Sequence, residues 1–313
     1  MAIEKELLDQ WGISDYEVFP LKAGMVNSKW VVSSKKSRLV LRDTGSNPKY
    51  AEAQATLLDH LKASDFPYET PNLIPSLDNM KIVNRNGHSY YLYNFIDGVP
   101  ITDKSDALTS FNVGRLVGEY TRSVSEVNLT KGSTFIHMLE MDALDVFLSL
   151  VKSSPWLDSS LESIARSLRK IYERDYGVLR EMEYIPCHLD YNPGNILTSD
   201  SKKPNALIDF GSISTKPKIC DVANALKNFW GIYGDCNDAL IYSFFKGYSE
   251  NQDLSDTEIN LIYPIVIDEL VREINWHTNR VRNGARREEV FLRERVRILE
   301  LLIQTPRDFT TLI

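Results

Sequence analysis

The segment CHLDYNPGNIL, residues 187–197, decides the fold, because it sets polar side chains in a glycine-bearing loop between two apolar stretches. His188, Asp190 and Asn195 share this loop, with the spacing H-x-D-x-x-x-x-N. Turn chemistry explains the proline and the glycine. It does not explain why a histidine, a carboxylate and a side-chain amide stand so close together, and the loop is therefore a candidate site.

A second segment, NALIDFGS, reads as an apolar strand that ends in Asp209. The residues before it, TSDSKKPN at 198–205, have turn composition and predict a hairpin. Such a hairpin would return Asp209 to the side of Asn195. Taken alone, each motif also fits an ordinary turn or strand-to-loop junction. Together and in this order they favour one functional site.

The chemistry that these residue types suit is transfer of a phosphoryl group. That reaction needs a group near the acceptor that orients its hydroxyl and takes the proton, and metal ions that bridge the phosphates and offset the developing charge. A carboxylate serves the first need. Oxygen ligands on a rigid loop serve the second, because Mg²⁺ is a hard cation that prefers oxygen.

The composition fits a soluble globular protein, with 43% hydrophobic and 25% charged residues. The net charge of −7 argues against nucleic acid as a main partner, since phosphate binding needs a basic field. We expect no membrane partner, because no run of about 18 apolar residues occurs, and the first residues lack signal-peptide order. Cys187, Cys220 and Cys236 form no C-x-x-C pair, which favours a reducing compartment. We expect a cytoplasmic protein, and the oligomeric state stays open.

The chain changes character near residue 97. Before it, YEVFPL, SKWVVSS and SRLVLRD predict strands, Asn47 and Pro48 predict a helix start, and apolar alternation around RNG predicts a hairpin. After DGVP the pattern is helical. We therefore predict an α+β protein with an N-terminal lobe over residues 1–97, built on an antiparallel β-sheet with one main helix. A larger, mainly helical lobe would cover residues 98–313.

These motifs resemble the aminoglycoside phosphotransferase and choline kinase-like superfamily, small-molecule kinases related to protein kinases. CHLDYNPGNIL resembles that family's loop H-G-D-x-x-P-x-N-[IVL]-[IVL], and LIDFGS resembles its strand I-D-[FW]-[EGD]. KICDVANAL resembles the following helix start, P-x-x-D-[IVL]-A, and the resemblance covers nearly the full length. One departure is Leu189, which replaces the usual glycine. The resemblance implies a protein kinase-like bilobal fold.

The resemblance also implies roles for the residues of these motifs. Asp190 would be the catalytic carboxylate, and Asn195 and Asp209 would hold Mg²⁺. His188 would buttress the loop. Asp221 would anchor the loop from the helix behind it.

On the nucleotide side, the family pairs a lysine or an arginine with a glutamate of the next helix. Arg42 and Glu52 match these positions, and the resemblance implies that Arg42 contacts the phosphates of ATP. The alternatives are a surface charge on a strand and a solvated helix residue. If Arg42 points into solvent instead, Lys22 or Lys29 becomes the better phosphate ligand.

Two further segments resemble parts of the family's ATP site. LKAGMVNSKW resembles a phosphate loop of the form G-G-x-x-N, which Gly24 and Asn27 match. YYLYNFIDG resembles the hinge strand, where Tyr93, Asn94 and Phe95 would face adenine through backbone groups. A central strand and its turn would show the same pattern without a nucleotide.

The function that these observations favour is transfer of the γ-phosphate of ATP, with Mg²⁺, to a hydroxyl of a small molecule such as an amino alcohol, a sugar-like metabolite or an aminoglycoside-type compound. One alternative is an antibiotic-inactivating enzyme or a protein serine/threonine kinase of the same fold. Another is a non-catalytic nucleotide-binding or scaffold member.

A late helix offers candidate acceptor-binding residues. Glu269 and Glu273 are four residues apart and share a face, and Trp276 follows. Two carboxylates beside an indole could hold a cationic acceptor between this helix and the catalytic loop. The alternative is an exposed acidic face that pairs with Arg272 or Arg280.

Overall fold

The protein is described by a computed structural model. The structure describes residues 5–21, 28–34, 37–129, 141–152, 160–199, 202–230, 237–285, 288–306 and 308–312. The chain forms two compact units. The sheet unit comprises Met1–Asp103, Glu119–Phe135 and Ile185–Thr215, and the helical unit comprises Lys104–Gly118, Ile136–Tyr184 and Lys216–Ile313. This division runs along a different line from the lobe boundary expected after residue 97, which stays a prediction.

An antiparallel sheet forms the centre of the sheet unit. Its strands follow the order β1-β2-β3-β6-β4, and β5 adds to β6. The strands are β1 (Glu17–Pro20), β2 (Lys29–Ser33), β3 (Arg38–Asp43), β4 (Leu73–Ile74), β5 (Val83–Arg85) and β6 (His88–Asn94). The first three lie where the sequence predicts strands. One face of the sheet carries an apolar core that includes Trp30, Leu41 and Leu92, against which Leu8 of α1 (Lys5–Leu8) packs.

The hairpin predicted around RNG joins β5 to β6. Arg85 lies opposite His88 in the ladder, and the two residues between them form the turn. Asn86 and Gly87 have φ values of 50° and 76°. Positive φ at both positions is typical of the type I′ turn, and asparagine–glycine is its preferred pair.

The single main helix of the sheet unit is α2 (Pro48–Ala63). Asn47 is its N-cap residue and Pro48 its first residue, as predicted, because proline has no N–H to leave unbonded there. The apolar residues at helical spacing are buried, namely Ala53, Leu57, Leu58 and Leu61. Through this buried apolar face, α2 packs within the sheet unit.

A second, smaller sheet carries the hairpin predicted before Asp209. Its order is β10-β9-β7, with β7 (Val99–Pro100), β9 (Ile196–Thr198) and β10 (Pro204–Leu207). Leu207 lies opposite Ile196, so the chain does return to the loop that it left. Two further short strands, β8 (Tyr184–Cys187) and β11 (Ser214–Pro217), lie where the chain passes between the units.

The helical unit is built from amphipathic helices. They are α4 (Met141–Lys152), α5 (Ser160–Arg180), α6 (Ile219–Trp230), α7 (Asp238–Tyr248), α8 (Asp256–Arg282) and α9 (Glu289–Gln304), together with the first part of α3 (Ala107–Val124). The apolar face expected on α8 is buried, with Ile262, Val266, Leu270 and Ile274 nearly inaccessible. Ser255 and Glu258 form a capping box that fixes the start of α8.

Helices α3 and α7 approach each other through glycines. A Cβ at Gly114 would lie 2.0 Å from the carbonyl oxygen of Phe244. A Cβ at Gly247 would lie 1.9 Å from that of Phe111. Both distances are impossible, so the close contact requires glycine at both positions.

Among the described helices, none combines the length and the apolar character that a membrane span needs.

Candidate active site

The loop after β8 turns sharply at Leu189. This residue has a φ of 58°, in the left-handed region, and it stands where the family has glycine. An L-residue in this conformation costs about 1–2 kcal/mol. The loop then forms a 3₁₀ turn over Pro193–Asn195, capped by the side chain of Asn192, which accepts a hydrogen bond from Gly194 N–H. The strained turn places Asp190 at the tip of a rigid loop.

His188 connects this loop to the strand that precedes Asp209. Its ring is fully buried, and burial lowers its pKa to about 4, so the ring is neutral. Nε2 donates to the carbonyl oxygen of Ile208 at 3.1 Å, and Nδ1 accepts from the N–H of Asp190 at 3.2 Å. The ring sits in an aromatic cage with centroid distances of 4.8 Å to Phe210, 5.0 Å to Tyr191 and 6.1 Å to Tyr120.

Asp190 has side-chain amides as hydrogen-bond partners of its carboxylate. Its Oδ1 accepts from Nδ2 of Asn192 at 2.6 Å, and none of the described lysines or arginines forms an ion pair with it. Burial, together with the charge of Asp209, raises the pKa of Asp190 to about 6. A carboxylate that titrates near neutral pH is suited to accept a proton.

Asp209 shows the opposite electrostatics. Nη1 of Arg42 donates to its Oδ1 at 2.6 Å, and Nζ of Lys29 donates to its Oδ2. Burial by itself raises the pKa of Asp209, but the charges of Arg42 and Lys29 outweigh it and hold the pKa well below its usual range. Asp209 also has a left-handed φ of 64°. We call Lys29, Arg42, Asp190 and Asp209 the loop cluster.

The two cations of the loop cluster come from neighbouring strands. Lys29 begins β2 and lies directly opposite Arg42 of β3 in the ladder. The Arg42 guanidinium lies so close to Gly211 that a Cβ there would be 1.8 Å from Nη2, which explains the glycine after Asp-Phe. The hydroxyl of Tyr50 donates to the carbonyl oxygen of Gly211 at 2.6 Å and fixes the same turn.

The predicted ion pair between Arg42 and Glu52 is wrong. Glu52 is exposed on α2, and Arg42 pairs with Asp209. The reason is helical phase: Tyr50 and Gln54 are four residues apart and buried, so the residue midway between them points outward. Gln54 faces the sheet and accepts a hydrogen bond from the Tyr91 hydroxyl at 2.6 Å.

Asn195 has its side-chain amide fixed by the loop itself. Nδ2 donates to the carbonyl oxygen of Asp190 at 2.9 Å, and within the described chain Oδ1 makes no hydrogen bond. The N–H of Ile208 donates to the carbonyl oxygen of Asn195 at 2.9 Å, which ties Asn195 to the strand that leads to Asp209. The described residues contain no group of three or more His, Cys, Asp or Glu suited to a metal ion.

The hinge segment uses its first backbone donors within the sheet unit. The N–H of Asn94 donates to Asn72, and the N–H of Phe95 donates to Arg38 at 3.0 Å. Tyr93 is buried in β6. These N–H groups are therefore not free for a base, and adenine contact at Tyr93, Asn94 and Phe95 stays a prediction. The next residue, Ile96, packs in a small apolar cluster with Leu197 and Ala206.

The remaining predicted site residues lie in the segment before β2 and at the start of α6. Gly24 and Asn27 lie outside the described residues, as does Lys22. Asp221 is fully buried in the first turn of α6, and its predicted role as an anchor of the loop is not tested.

The acidic pair on α8 has partners that the sequence did not indicate. Nζ of Lys227 lies 2.7 Å from Glu269 and 2.6 Å from Glu273. Nε of Arg295 lies 2.6 Å from the other oxygen of Glu273. We call Lys227, Glu269, Glu273 and Arg295 the helix cluster. The expected pairing of these carboxylates with Arg272 or Arg280 is wrong.

The arginines expected to pair with that acidic face have other partners. Arg272 pairs with Asp268 one helical turn earlier, at 2.8 Å, and Arg280 pairs with Glu288 at 2.5 Å. Arg280 also stacks over Trp276, with its guanidinium carbon 4.6 Å from the ring centroid. The indole face that was a candidate for a cationic acceptor therefore already carries a cation.

The antiparallel sheet unit and the helical unit are those of a protein kinase-like fold. Residues 17–255 match the family APH, described as the phosphotransferase enzyme family, and the chain belongs to that family. It is a phosphotransferase with an alcohol group as acceptor, and the predicted α+β, kinase-like fold and superfamily are confirmed.

Solved structures of small-molecule kinases share this fold. Amicoumacin kinase in complex with AMP-PNP and Ca²⁺ has a TM-score of 0.74 at 15% identity, over 99% of this chain and 96% of that one. A microcompartment-associated aminopropanol kinase has 0.76 at 15%, over 96% of each chain. AMP-bound spectinomycin phosphotransferase has 0.68 at 14%, over 96% and 98%. A search of curated proteins finds no match.

The sequence motifs do not single out Lys29, which is predicted only as an alternative phosphate ligand to Arg42. In the structure both Lys29 and Arg42 form ion pairs with Asp209. Pairing the two predicted strands residue by residue would have found it, because Lys29 and Arg42 are direct neighbours in that register.

Proposed function

We propose that the protein transfers the γ-phosphoryl group of ATP to a hydroxyl of a small molecule. The observation that carries this proposal is the loop cluster, in which Asp190 has a pKa of about 6 and Asp209 is held ionised by two cations. One carboxylate is poised to accept a proton while the other stays charged. Phosphoryl transfer requires both properties.

Asp190 orients the acceptor hydroxyl and accepts its proton. Asn192 holds one carboxylate oxygen, and His188 holds the backbone N–H, so the position of the carboxylate is fixed before the acceptor arrives. Such preorganisation is what makes a general base effective. The neutral state of His188 keeps a second positive charge away from Asp190 and so preserves its basicity.

The residues present fit Mg²⁺. Asn195 and Asp209 would hold it, through the Oδ1 that makes no hydrogen bond and through a carboxylate that stays ionised. Bound there, the ion would neutralise charge on the transferred phosphates. The described chain offers no larger set of protein ligands, which is usual for Mg²⁺ at phosphate sites, because phosphates and water complete its shell.

The nucleotide is expected on the side of the sheet unit that carries the loop cluster. Gly24 and Asn27 would cover its phosphates, and residues 93–95 with Ile96 would border adenine. The apolar cluster that contains Ile96, Leu197 and Ala206 suits an aromatic base. Three fold neighbours were solved with AMP-PNP, AMP or GDP, which supports a purine nucleotide as the donor.

The acceptor is proposed to be a small molecule. The named neighbours, kinases of amicoumacin and aminopropanol and a spectinomycin phosphotransferase, support this class. Binding of a cationic acceptor by Glu269, Glu273 and Trp276 stays a prediction. It would have to displace Lys227 or Arg295, since both carboxylates are already paired.

The test is an ADP-release assay with ATP, Mg²⁺ and a panel of hydroxylated metabolites and antibiotics. Acceptors would first be selected by thermal shift with a non-hydrolysable ATP analogue. We expect acceptor-dependent ADP release, loss of that release on chelation of Mg²⁺, and a product heavier by one phosphoryl group. Nucleotide binding without any acceptor-dependent release would instead support the non-catalytic alternative.

A further inference from the structure

Both cations on Asp209 are buried, with Lys29 9% exposed, so they differ in shape and flexibility and not in burial. Arg42 is only 3% exposed, and its guanidinium lies under Gly211 with no room for even a Cβ between them. In the ladder it lies opposite Tyr91 of β6. Its Nη1 is bound to Asp209. Moving this planar group toward a ligand would require opening the turn at Gly211.

Lys29 differs from Arg42 in the flexibility of its charged group, although Nε of Arg42 also makes no hydrogen bond within the described chain. Its ammonium is a compact group with three donors on a flexible stem. Within the described chain it makes one hydrogen bond, to Asp209, so two donors remain for an anion. An ammonium can exchange a carboxylate oxygen for a phosphate oxygen by rotation about its own side-chain bonds. No backbone movement is needed.

The position of Lys29 in the chain supports the same assignment. It is the first residue of β2, directly after the segment that contains Gly24 and Asn27, the predicted phosphate loop. It is also the cation that interacts with both carboxylates, since Asp209 binds it and Asp190 feels its charge. In the proposed function, the donor phosphates and the acceptor hydroxyl would meet near these two carboxylates.

We propose that Lys29, and not Arg42, contacts the phosphates of the nucleotide, and that Arg42 is a positioning residue that holds Asp209. This inference rests on the proposed nucleotide-dependent function. It assigns the phosphate-binding cation to β2 instead of β3, where the resemblance had placed it. Arg42 would then act through the orientation of Asp209.

The test measures how much the phosphates contribute to binding. The readout is the ratio of the Kd of adenosine to the Kd of ADP, measured by calorimetry with Mg²⁺ for the full chain and without any acceptor. Lys29→Met keeps the length of the stem and removes the charge. We expect it to reduce the ratio by about tenfold to a hundredfold, the effect of one charged hydrogen bond, and to leave the Kd of adenosine unchanged.

Two variants serve as comparisons. Lys81→Met makes the same change at a half-exposed lysine that pairs with Asp59, and its ratio should equal that of the wild type. Arg42→Met should lower the melting temperature and keep the preference for ADP over adenosine. Loss of that preference in Arg42→Met but not in Lys29→Met would overturn the assignment.

A second measurement on the wild-type protein does not depend on variants that fold. An acyl-phosphate derivative of ATP transfers its acyl group to a nearby lysine amine, forming an amide and releasing ATP. We expect peptide mapping to find this amide on Lys29, with protection by excess ATP. Protected labelling at Lys22 instead, or no protected labelling at Lys29, would overturn the inference alone. Wild-type protein that binds neither adenosine nor ADP would overturn the proposed function as well.

Discussion

The loop cluster and the helix cluster contain the same formal charges, two cations and two carboxylates each, but they connect them differently. In the helix cluster Lys227 bridges both carboxylates, and Arg295 adds a second contact to Glu273. In the loop cluster both cations bind Asp209. The fourth member, Asp190, has side-chain amides as partners of its carboxylate and forms no ion pair with a described lysine or arginine.

The consequence appears in the protonation of the carboxylates. Burial alone would raise the pKa of Glu273, but Lys227 and Arg295 lower it, so this carboxylate stays charged and structural. Asp190 receives burial and the repulsion of Asp209 without a contacting cation, and its pKa rises to about 6. Uneven pairing, and not charge content, therefore gives carboxylates of the two clusters opposite pKa shifts.

The largest effect is expected for Asp190→Asn. Turnover should fall by about 10²–10⁴-fold, because the amide cannot accept the proton. The Kd of ATP should stay within twofold of the wild type, and the free energy of unfolding at pH 8 should not fall, because the lost charge was unfavourable in the folded state. Single-turnover kinetics, ATP titration and urea unfolding would measure these three quantities. Turnover near the wild-type level would show that Asp190 is not the general base.

Lys227→Met should disrupt the ion pairs of the helix cluster and leave turnover unchanged. Glu269 loses its only cationic partner among the described residues, which for a buried ion pair costs about 3–5 kcal/mol of unfolding free energy. Lys29→Met should cost less, since Asp209 keeps Arg42. Chemical denaturation of the two variants provides the comparison. Equal losses would mean that shared pairing does not protect Asp209.

The pH dependence should separate the clusters further. The base form of Asp190 is the deprotonated one, so kcat/KM should be constant above its pKa of about 6 and fall tenfold per pH unit below it. The free energy of unfolding should instead increase as the pH falls through this pKa. Folding raises the pKa of Asp190, and protonation therefore favours the folded state. A pH–rate profile with parallel thermal midpoints would measure both. A rate that is flat from pH 5 to 8 would contradict this.

The smallest effect concerns the backbone that supports each cluster. The loop cluster depends on left-handed Leu189 and Asp209, whereas the helix cluster lies on regular helices. Leu189→Gly should change the free energy of unfolding by less than about 1 kcal/mol, because relief of strain and loss of chain stiffness oppose each other. Leu189→Val should destabilise, since a branched side chain is poorest there. Thermal unfolding of both variants checks the sign, and a stabilised Leu189→Val would show that the turn is not strained.

Much of the molecule follows from local sequence. The first strands, the helix start at Pro48, the turn at Asn86 and Gly87, and the hairpin that leads to Asp209 are set by short-range chemistry, namely alternation, proline and glycine conformations and turn composition. The candidate loop at residues 187–197 was predictable for the same reason, since its polar residues lie within one short segment.

The partners of those residues were decided by tertiary structure. The family resemblance pairs Glu52 with Arg42, but the phase of α2 turns Glu52 outward, and Asp209 pairs with Arg42 instead. Lys227 and Arg295 reach Glu273 from two other helices, which no local pattern indicates. Sequence fixes which charges are present and roughly where each backbone segment turns. Only the packing of segments far apart in the chain decides which charges meet, and hence which carboxylate stays free to take a proton.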